Sequence, residues 1–313
     1  MKHLVIIPTI IGSTLLLAGG AVFAVGLTSC SKQNTLTHEY ALEGEITNID
    51  FDISVSDVTF HASTDGTKKV VFKETEKMYH TYSVSEGKLK IGMEDNRQWY
   101  DKTLTMDHFA VDLYIPSDHY GELTAKNSTG NFTIPSEFSF NNINIKLSTG
   151  DVDLKCNVSE SLNVTTSTGK TTLTSLNAKN ISLDADTGSA NLEEVAVEEK
   201  VTIKRSTGNI NMSSVHAKDY ESNSSTGHVH FKDVIIDNNV QIKTSTGDVK
   251  LEDSDATTLK IETSTGDVRG TLLTSKIFYV KTDTGKVNVP TSTEGGLCEI
   301  TTDTGDVNIS IKA

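Results

Sequence analysis

Thr244-Ser245-Thr246-Gly247-Asp248-Val249-Lys250-Leu251 is answered, 19 residues later, by Thr263-Ser264-Thr265-Gly266-Asp267-Val268-Arg269-Gly270. The Thr-Gly pair of this stretch occurs ten times at the same pace, with its glycine at Gly130, Gly150, Gly169, Gly188, Gly208, Gly227, Gly247, Gly266, Gly285 and Gly305. Every step is 19 or 20 residues, and Ser or Asp stands before each Thr. A period of this length, held over more than half the chain, marks a stack of repeated structural units.

Alignment on the glycine gives the chemistry of one unit. Two residues after it stand apolar side chains such as Val152, Ile210, Val229 and Val249, and four after it Leu154, Leu192, Phe231 and Leu251, with polar residues between. Seven and five residues before it stand pairs such as Ile143/Ile145, Leu162/Val164 and Leu259/Ile261. Alternation of period two predicts two short strands per unit, each with one buried face. The residues between them form a variable bend, where the one-residue difference in spacing is absorbed. Nineteen residues leave no room for a crossover helix, and one unit cannot bury its apolar face alone. The pattern therefore predicts an all-β protein: a single-domain parallel β-solenoid, β-helix-like, with coils ~4.8 Å apart.

The chain divides into residues 1–30 as a membrane anchor, 31–122 as an irregular β cap or first coils, and 123–313 as the regular solenoid of ten Ser-Thr-Gly repeats. The middle segment lacks the Thr-Gly period but alternates in the same way, at Ile49-Asp50-Phe51-Asp52-Ile53 and again at Phe109, Val111, Leu113 and Ile115. A solenoid end must be shielded to stay soluble, which is the role expected of this segment.

Leu4 to Leu27 carries no charged residue. As a helix it is ~36 Å long, enough to span a ~30 Å hydrocarbon core. Lys2 precedes it, so the positive-inside bias starts the chain in the cytoplasm and places the body outside a single-pass cytoplasmic-membrane helix. A second anchor fits the same stretch: Leu27-Thr28-Ser29-Cys30 resembles a bacterial lipobox, which makes Cys30 a candidate lipidation site. Simple secretion after cleavage is disfavoured, because the apolar run exceeds that of an ordinary signal peptide.

The composition excludes several classes. Lys and Arg number 28 against 42 Asp and Glu, for a net charge of −14. That balance argues against nucleic acid, which requires clustered cations. The three arginines are Arg97, Arg205 and Arg269, too few for a phosphate or carboxylate clamp.

Ile49-Asp50-Phe51-Asp52-Ile53, Gln98-Trp99-Tyr100-Asp101, Val111-Asp112-Leu113-Tyr114-Ile115-Pro116, the Ser-Thr-Gly-Asp-Val units and the closing Gly295–Asp306 stretch together resemble the bacterial putative-adhesin family of β-strand-repeat proteins, a domain of unknown function. The resemblance covers nearly the whole chain. It implies a membrane-attached cell-envelope solenoid and brings no active-site residues with it.

In a solenoid Cys156 and Cys298 lie about seven coils, or ~35 Å, apart and cannot pair. Cys298 falls in an inward column, while Cys156 falls at the bend, where it could be exposed. The Thr-x-Thr pairs 244/246, 263/265, 282/284 and 302/304 stack on four successive coils. If alternation is unbroken, both members of each pair point inward, which removes an ice-binding face; a bend before the turn restores it. Asp follows the glycine only at Asp151, Asp248, Asp267 and Asp306, and Lys170 and Lys286 occupy the same column, so calcium is not expected. His228 and His230 project outward without a third strong ligand, so no metal site is expected either. No cofactor, small-molecule substrate or catalytic constellation is found, and the bends are too short for the cleft of a polysaccharide-cleaving β-helix.

The expectation is a non-enzymatic adhesion, interaction or structural module of the cell envelope, whose partners are the membrane and a protein or cell-surface glycan. A sensory protein reporting envelope stress is the alternative. Val249→Asp or Leu251→Asp should cost about 3–5 kcal/mol and unfold the central coils, whereas Lys250→Asp should leave circular dichroism and the thermal midpoint nearly unchanged. Equal effects would refute the inward columns.

Overall fold

The computed structural model describes residues 35–98 and 108–312; the apolar stretch Leu4–Leu27, Cys30, Trp99 and Tyr100 lie outside the described residues. Every regular element among the described residues is a strand, and all strands join one continuous 23-stranded sheet wound into a parallel solenoid. The coil Val229–Thr246 shows the unit. It pairs in parallel with Ile210–Thr226 on one side and Val249–Thr265 on the other. Inward residues are Val229, Phe231, Val234, Ile236, Val240, Ile242 and Thr244, each at most 3% exposed.

The coils from Gly130 to Thr265 have three strand segments rather than the expected two. Val234 and Ile236 form a second arm inside the stretch read as a bend, and the same arm recurs as Leu176/Ala178, Val195/Val197 and Val215/Ala217. It begins after a residue in the left-handed region, six positions past the glycine: Ser175, Glu194, Ser214, Asp233 and Asp253, with φ between 48° and 55°. That residue turns the corner and resets the alternation by one. A register shift just before the third arm, between Ile236 and Asn239 in this coil, makes the other corner and absorbs the 19-versus-20 difference. Cys156 belongs to this second arm with Val158. It is fully buried, not exposed at a bend, and burial pushes its thiol up to about 12.

The turn glycine is fixed by two independent constraints. Its φ lies between 133° and 156° from Gly130 to Gly266. A Cβ added at Gly208 would stand 2.0 Å from the carbonyl oxygen of Gly188, and the same 1.9–2.1 Å collision recurs at every turn glycine from Gly150 onward. The glycines form a column so close that one coil's turn occupies the space a side chain on the next would need.

Coil order departs from chain order at both ends. Val249–Thr265 pairs with Gly296–Thr304, in register Thr265↔Thr304, and Lys276–Thr284 lies on the far side of that strand, in register Thr284↔Thr304. The last coil is thus inserted between the two that precede it, so the Thr pairs do not stack on four successive coils in chain order. At the other end, Asn48–Asp52 and Asp57–Ser63 form a coil between His119–Thr129/Phe132–Ile134 and Lys88–Asp95/Ala110–Pro116. Antiparallel strands complete this end: Met78–Ser85 on Lys88–Asp95, and Lys69–Glu74 followed by Leu36–Ala41 on Ala110–Pro116. Phe51, Phe60, Phe132, Phe138 and Phe140 fill the core beneath this cap, with ring centroids 5.6–6.2 Å apart and mostly tilted or edge-on.

Gly208→Ala should destabilise the protein by at least ~2 kcal/mol in equilibrium urea unfolding, through the φ penalty and the carbonyl collision together. Ser206→Ala, two positions away on the exposed rim, should shift the midpoint negligibly.

Candidate functional site

The repeated turn is the first place to look for chemistry, and its polar groups are occupied in holding the stack. In most coils the residue after the glycine accepts a hydrogen bond from the backbone N–H at the same position of the neighbouring coil. Asn131 Oδ1 accepts from Asp151 N at 2.8 Å, Asp151 Oδ1 from Lys170 N at 2.7 Å, Asp248 Oδ1 from Asp267 N at 3.0 Å, and Asp267 Oδ1 from Asp306 N at 2.8 Å. His228 joins the same row, its Nδ1 accepting from Asp248 N at 3.0 Å. Lys286, whose side chain can accept nothing, sits on the outermost coil, where its backbone N–H donates to Asp306 Oδ1 at 2.7 Å. The Gly-Asp repeat is therefore a side-chain-to-backbone ladder.

The Thr-x-Thr pairs split. Thr244, Thr263 and Thr302, three before the glycine, are buried as expected. Thr246, Thr265, Thr284 and Thr304, one before it, are exposed, as is the residue preceding each of them. Two consecutive outward residues mean that the strand bends ahead of the turn, so the unbroken-alternation reading fails there. The result is an in-register row of ten exposed threonines along one corner. The inward member serves the backbone instead, since Thr263, Thr282 and Thr302 each donate to the carbonyl of an adjacent turn glycine at 3.2–3.3 Å.

His230 Nε2 lies 2.8 Å from Glu252 Oε2, while His228 serves the backbone row, so the two histidines do not converge. Among the described residues no three of His, Cys, Asp or Glu come together as metal ligands.

Two constellations arise that no local sequence pattern announces. The first is a groove of about 870 Å³ at the C-terminal end. Leu272 pairs with Ser254, but the chain then enters the third arm at Lys276 almost at once, so the inward column that ends at Ala256 is not continued. Thr291–Gly296 closes over the resulting notch. Gly295 and Gly296 permit this approach, since a Cβ on either would fall within 1.9 Å of the Ser275 or Thr257 carbonyl. The wall carries Lys276, 2% exposed, whose Nζ lies 2.6 Å from Asp255 Oδ1 and donates to Thr274 Oγ1 at 2.5 Å. Hydroxyls and carboxylates from Thr257, Ser275, Thr291, Ser292, Thr293, Asp237 and Glu294 line much of the rest, with Ile235, Ile236 and Ala256 as its apolar part. Cys298, buried below, has its thiol pushed up to about 12 by that burial.

The second is a buried relay under the N-terminal cap. Ser56 Oγ lies 2.7 Å from His80 Nε2, and His80 Nδ1 lies 3.0 Å from Glu74 Oε2, which also accepts from His80 N at 2.6 Å. His38 Nδ1 approaches the other Glu74 oxygen at 2.6 Å. The connectivity is that of a hydrolytic triad, but Ser56 is 1% exposed and Glu74 3%, and Asn127 Nδ2 donates to the Ser56 carbonyl at 2.7 Å. The relay ties Lys69–Glu74 and Met78–Ser85 to the first coil. Burial lowers the His80 pKa, against the raising effect of Glu74. With neutral His80, Nδ1–H donates to Glu74, and the Ser56 hydroxyl is shared between His80 Nε2 and the Val55 carbonyl.

The family model described as Toastrack DUF4097 matches residues 46–202 and 196–313, so the chain belongs to that family. No curated protein matches it. Of the solved structures, one described as a "putative adhesin" from Parabacteroides distasonis is 14% identical, with 88% of this chain and 97% of that one covered and a TM-score of 0.52. It shares the fold. Another "putative adhesin", from Bacteroides fragilis, is 13% identical over 90% and 98% of the two chains, with a TM-score of 0.39.

Because His80 is held neutral in the fold and its folded pKa lies below the unfolded value, its contribution to stability is present above ~6.5 and is lost as the pH falls through the folded value. The thermal midpoint should fall between pH 7.5 and 5.5, and His80→Gln should flatten that dependence. An unchanged slope in the variant would assign the effect to groups other than His80.

Proposed function

We propose that this Toastrack-family chain is a non-enzymatic interaction module, held at the outer face of the cytoplasmic membrane by its N-terminal apolar stretch, which binds a cell-surface glycan through the C-terminal groove. The groove's composition carries this reading. Its ammonium group is already paired with Asp255, so no cation is left to attract an anionic ligand. What remains is a set of hydroxyls and carboxylates beside an apolar strip of Ile235, Ile236 and Ala256, suited to the hydroxyl groups and one apolar face of a sugar. The solenoid supplies a rigid support for it, and an anchor at Leu4–Leu27 or Cys30 would carry the groove at the end of the body remote from the bilayer.

The full chain should co-sediment with purified, insoluble bacterial wall polysaccharide. Thr257→Arg with Thr291→Arg, which fills the groove from both walls, should weaken that binding at least tenfold with the thermal midpoint retained. Unchanged binding by the double variant would move the contact elsewhere, and co-purification of a membrane kinase in place of glycan would favour the sensory reading. Mass spectrometry of the mature N-terminus decides the anchor: an intact Met1 leaves the helix, and a lipid on Cys30 leaves the lipoprotein.

A further inference from the structure

Inside the middle coils a run of polar groups lacks protein partners. Arg205 is 4% exposed; its Nη1 donates to the Gly188 carbonyl at 2.6 Å, while Nε and Nη2 have no acceptor. The hydroxyls of Tyr220, Ser222, Ser224 and Thr244, each at most 3% exposed, are likewise unpartnered. These residues are neighbours: Arg205, Ser224 and Thr244 stack in register in one inward column, and Tyr220 and Ser222 precede Ser224 on the same strand, facing the same interior.

The substitutions occur together. Arg205 stands where Thr263, Thr282 and Thr302 stand in other coils, and its Nη1 makes the bond to the turn-glycine carbonyl that their hydroxyls make. One nitrogen thus does what a threonine hydroxyl does in those coils, and Arg205 brings two nitrogens more. Ser222 replaces the Ile, Val, Leu or Ala of its column, and Tyr220 the Leu, Ile or Val usual at its own. Below Arg205 the column carries Ala185 and above it Ser224, both small. This part of the core is hydroxyl-lined and positively charged. Burial lowers the Arg205 pKa to about 10, which still leaves it a cation at neutral pH. Asp184 is close enough to favour its charge but makes no ion pair with it, and a buried charge without a direct partner costs several kcal/mol.

We propose that Arg205, with the hydroxyls of Tyr220, Ser222 and Ser224, forms an interior binding site for a small monovalent anion of halide size. Guanidinium nitrogens can only donate, and hydroxyls rotate to donate, so these neighbouring side chains offer several N–H and O–H donors and one positive charge to an acceptor. The ion neutralises the guanidinium and completes the central coils, independently of any ligand in the C-terminal groove.

Bromide serves as the probe, at constant ionic strength against gluconate, which is too large to enter. The urea midpoint of the full chain should rise by about 0.5 M across a hundredfold increase in bromide. Arg205→Thr installs the residue that neighbouring coils tolerate, so it should fold and lose the bromide dependence. Crystals grown in bromide should show an anomalous peak beside Arg205 Nε and Nη2. A midpoint indifferent to bromide, a dependence that survives Arg205→Thr, or water alone at the guanidinium would each overturn the proposal.

Discussion

A carbonyl oxygen 2.0 Å from where a Cβ would stand is the constraint on which the rest of this molecule depends. Parallel coils stack at the spacing of a sheet, and at the tightest corner of each coil that spacing leaves room for backbone alone. Glycine is the residue that satisfies both the positive φ and the close approach. Once the glycines are stacked, the register of every arm follows, because the inward positions are counted from the turn in both directions. The glycine also exposes its carbonyl to the interior, and Arg205, Thr263, Thr282 and Thr302 each satisfy such a carbonyl from an adjacent strand.

The same corner explains why side chains of functional appearance are occupied with structure. Asp after Gly suggests calcium, yet each of these carboxylates facing a further coil is an acceptor for that coil's amide. A row of ten threonines looks like a binding lattice, yet its regularity follows from a turn whose backbone carbonyl receives the glycine N–H of the adjacent coil. Periodicity in this protein reports the demands of stacking. Sites with individual chemistry appear where the period is broken: at the C-terminal notch, under the N-terminal cap, and around Arg205.

That division also sets what was legible in the sequence. The glycine period and the apolar columns two and four after it, and seven and five before it, are local patterns, and the solenoid could be read from them. The second arm was hidden because a left-handed Ser, Glu or Asp at the corner shifts the alternation by one, so Val234 and Ile236 fall out of step with Val229 and Phe231. Cys156, by contrast, continues the alternation of Val152 and Leu154 without a shift, and was misplaced only because the stretch after Leu154 was read as a bend. The outward turn of the threonine beside each glycine depends on a bend that no side chain encodes by type. The Ser56–His80 contact spans 24 positions of the chain, and the Lys276–Asp255 pair likewise crosses a non-repeating connection, where there is no period to count from.

The inserted last coil has a mechanical meaning for a body pulled upon at its far end. A strand at the rim of a sheet yields by peeling, one hydrogen bond at a time. Gly296–Thr304 is no rim strand: it runs parallel between Val249–Thr265 and Lys276–Thr284 and shares a ladder with each. Val307–Ile311 continues the arrangement between Val268–Leu272 and Val287–Asn288. Tension applied along this coil loads both ladders in shear at once, and it cannot leave without sliding past two neighbours. The last coil in the chain is thereby poorly placed to start an unravelling, and a load delivered there is passed sideways into the stack.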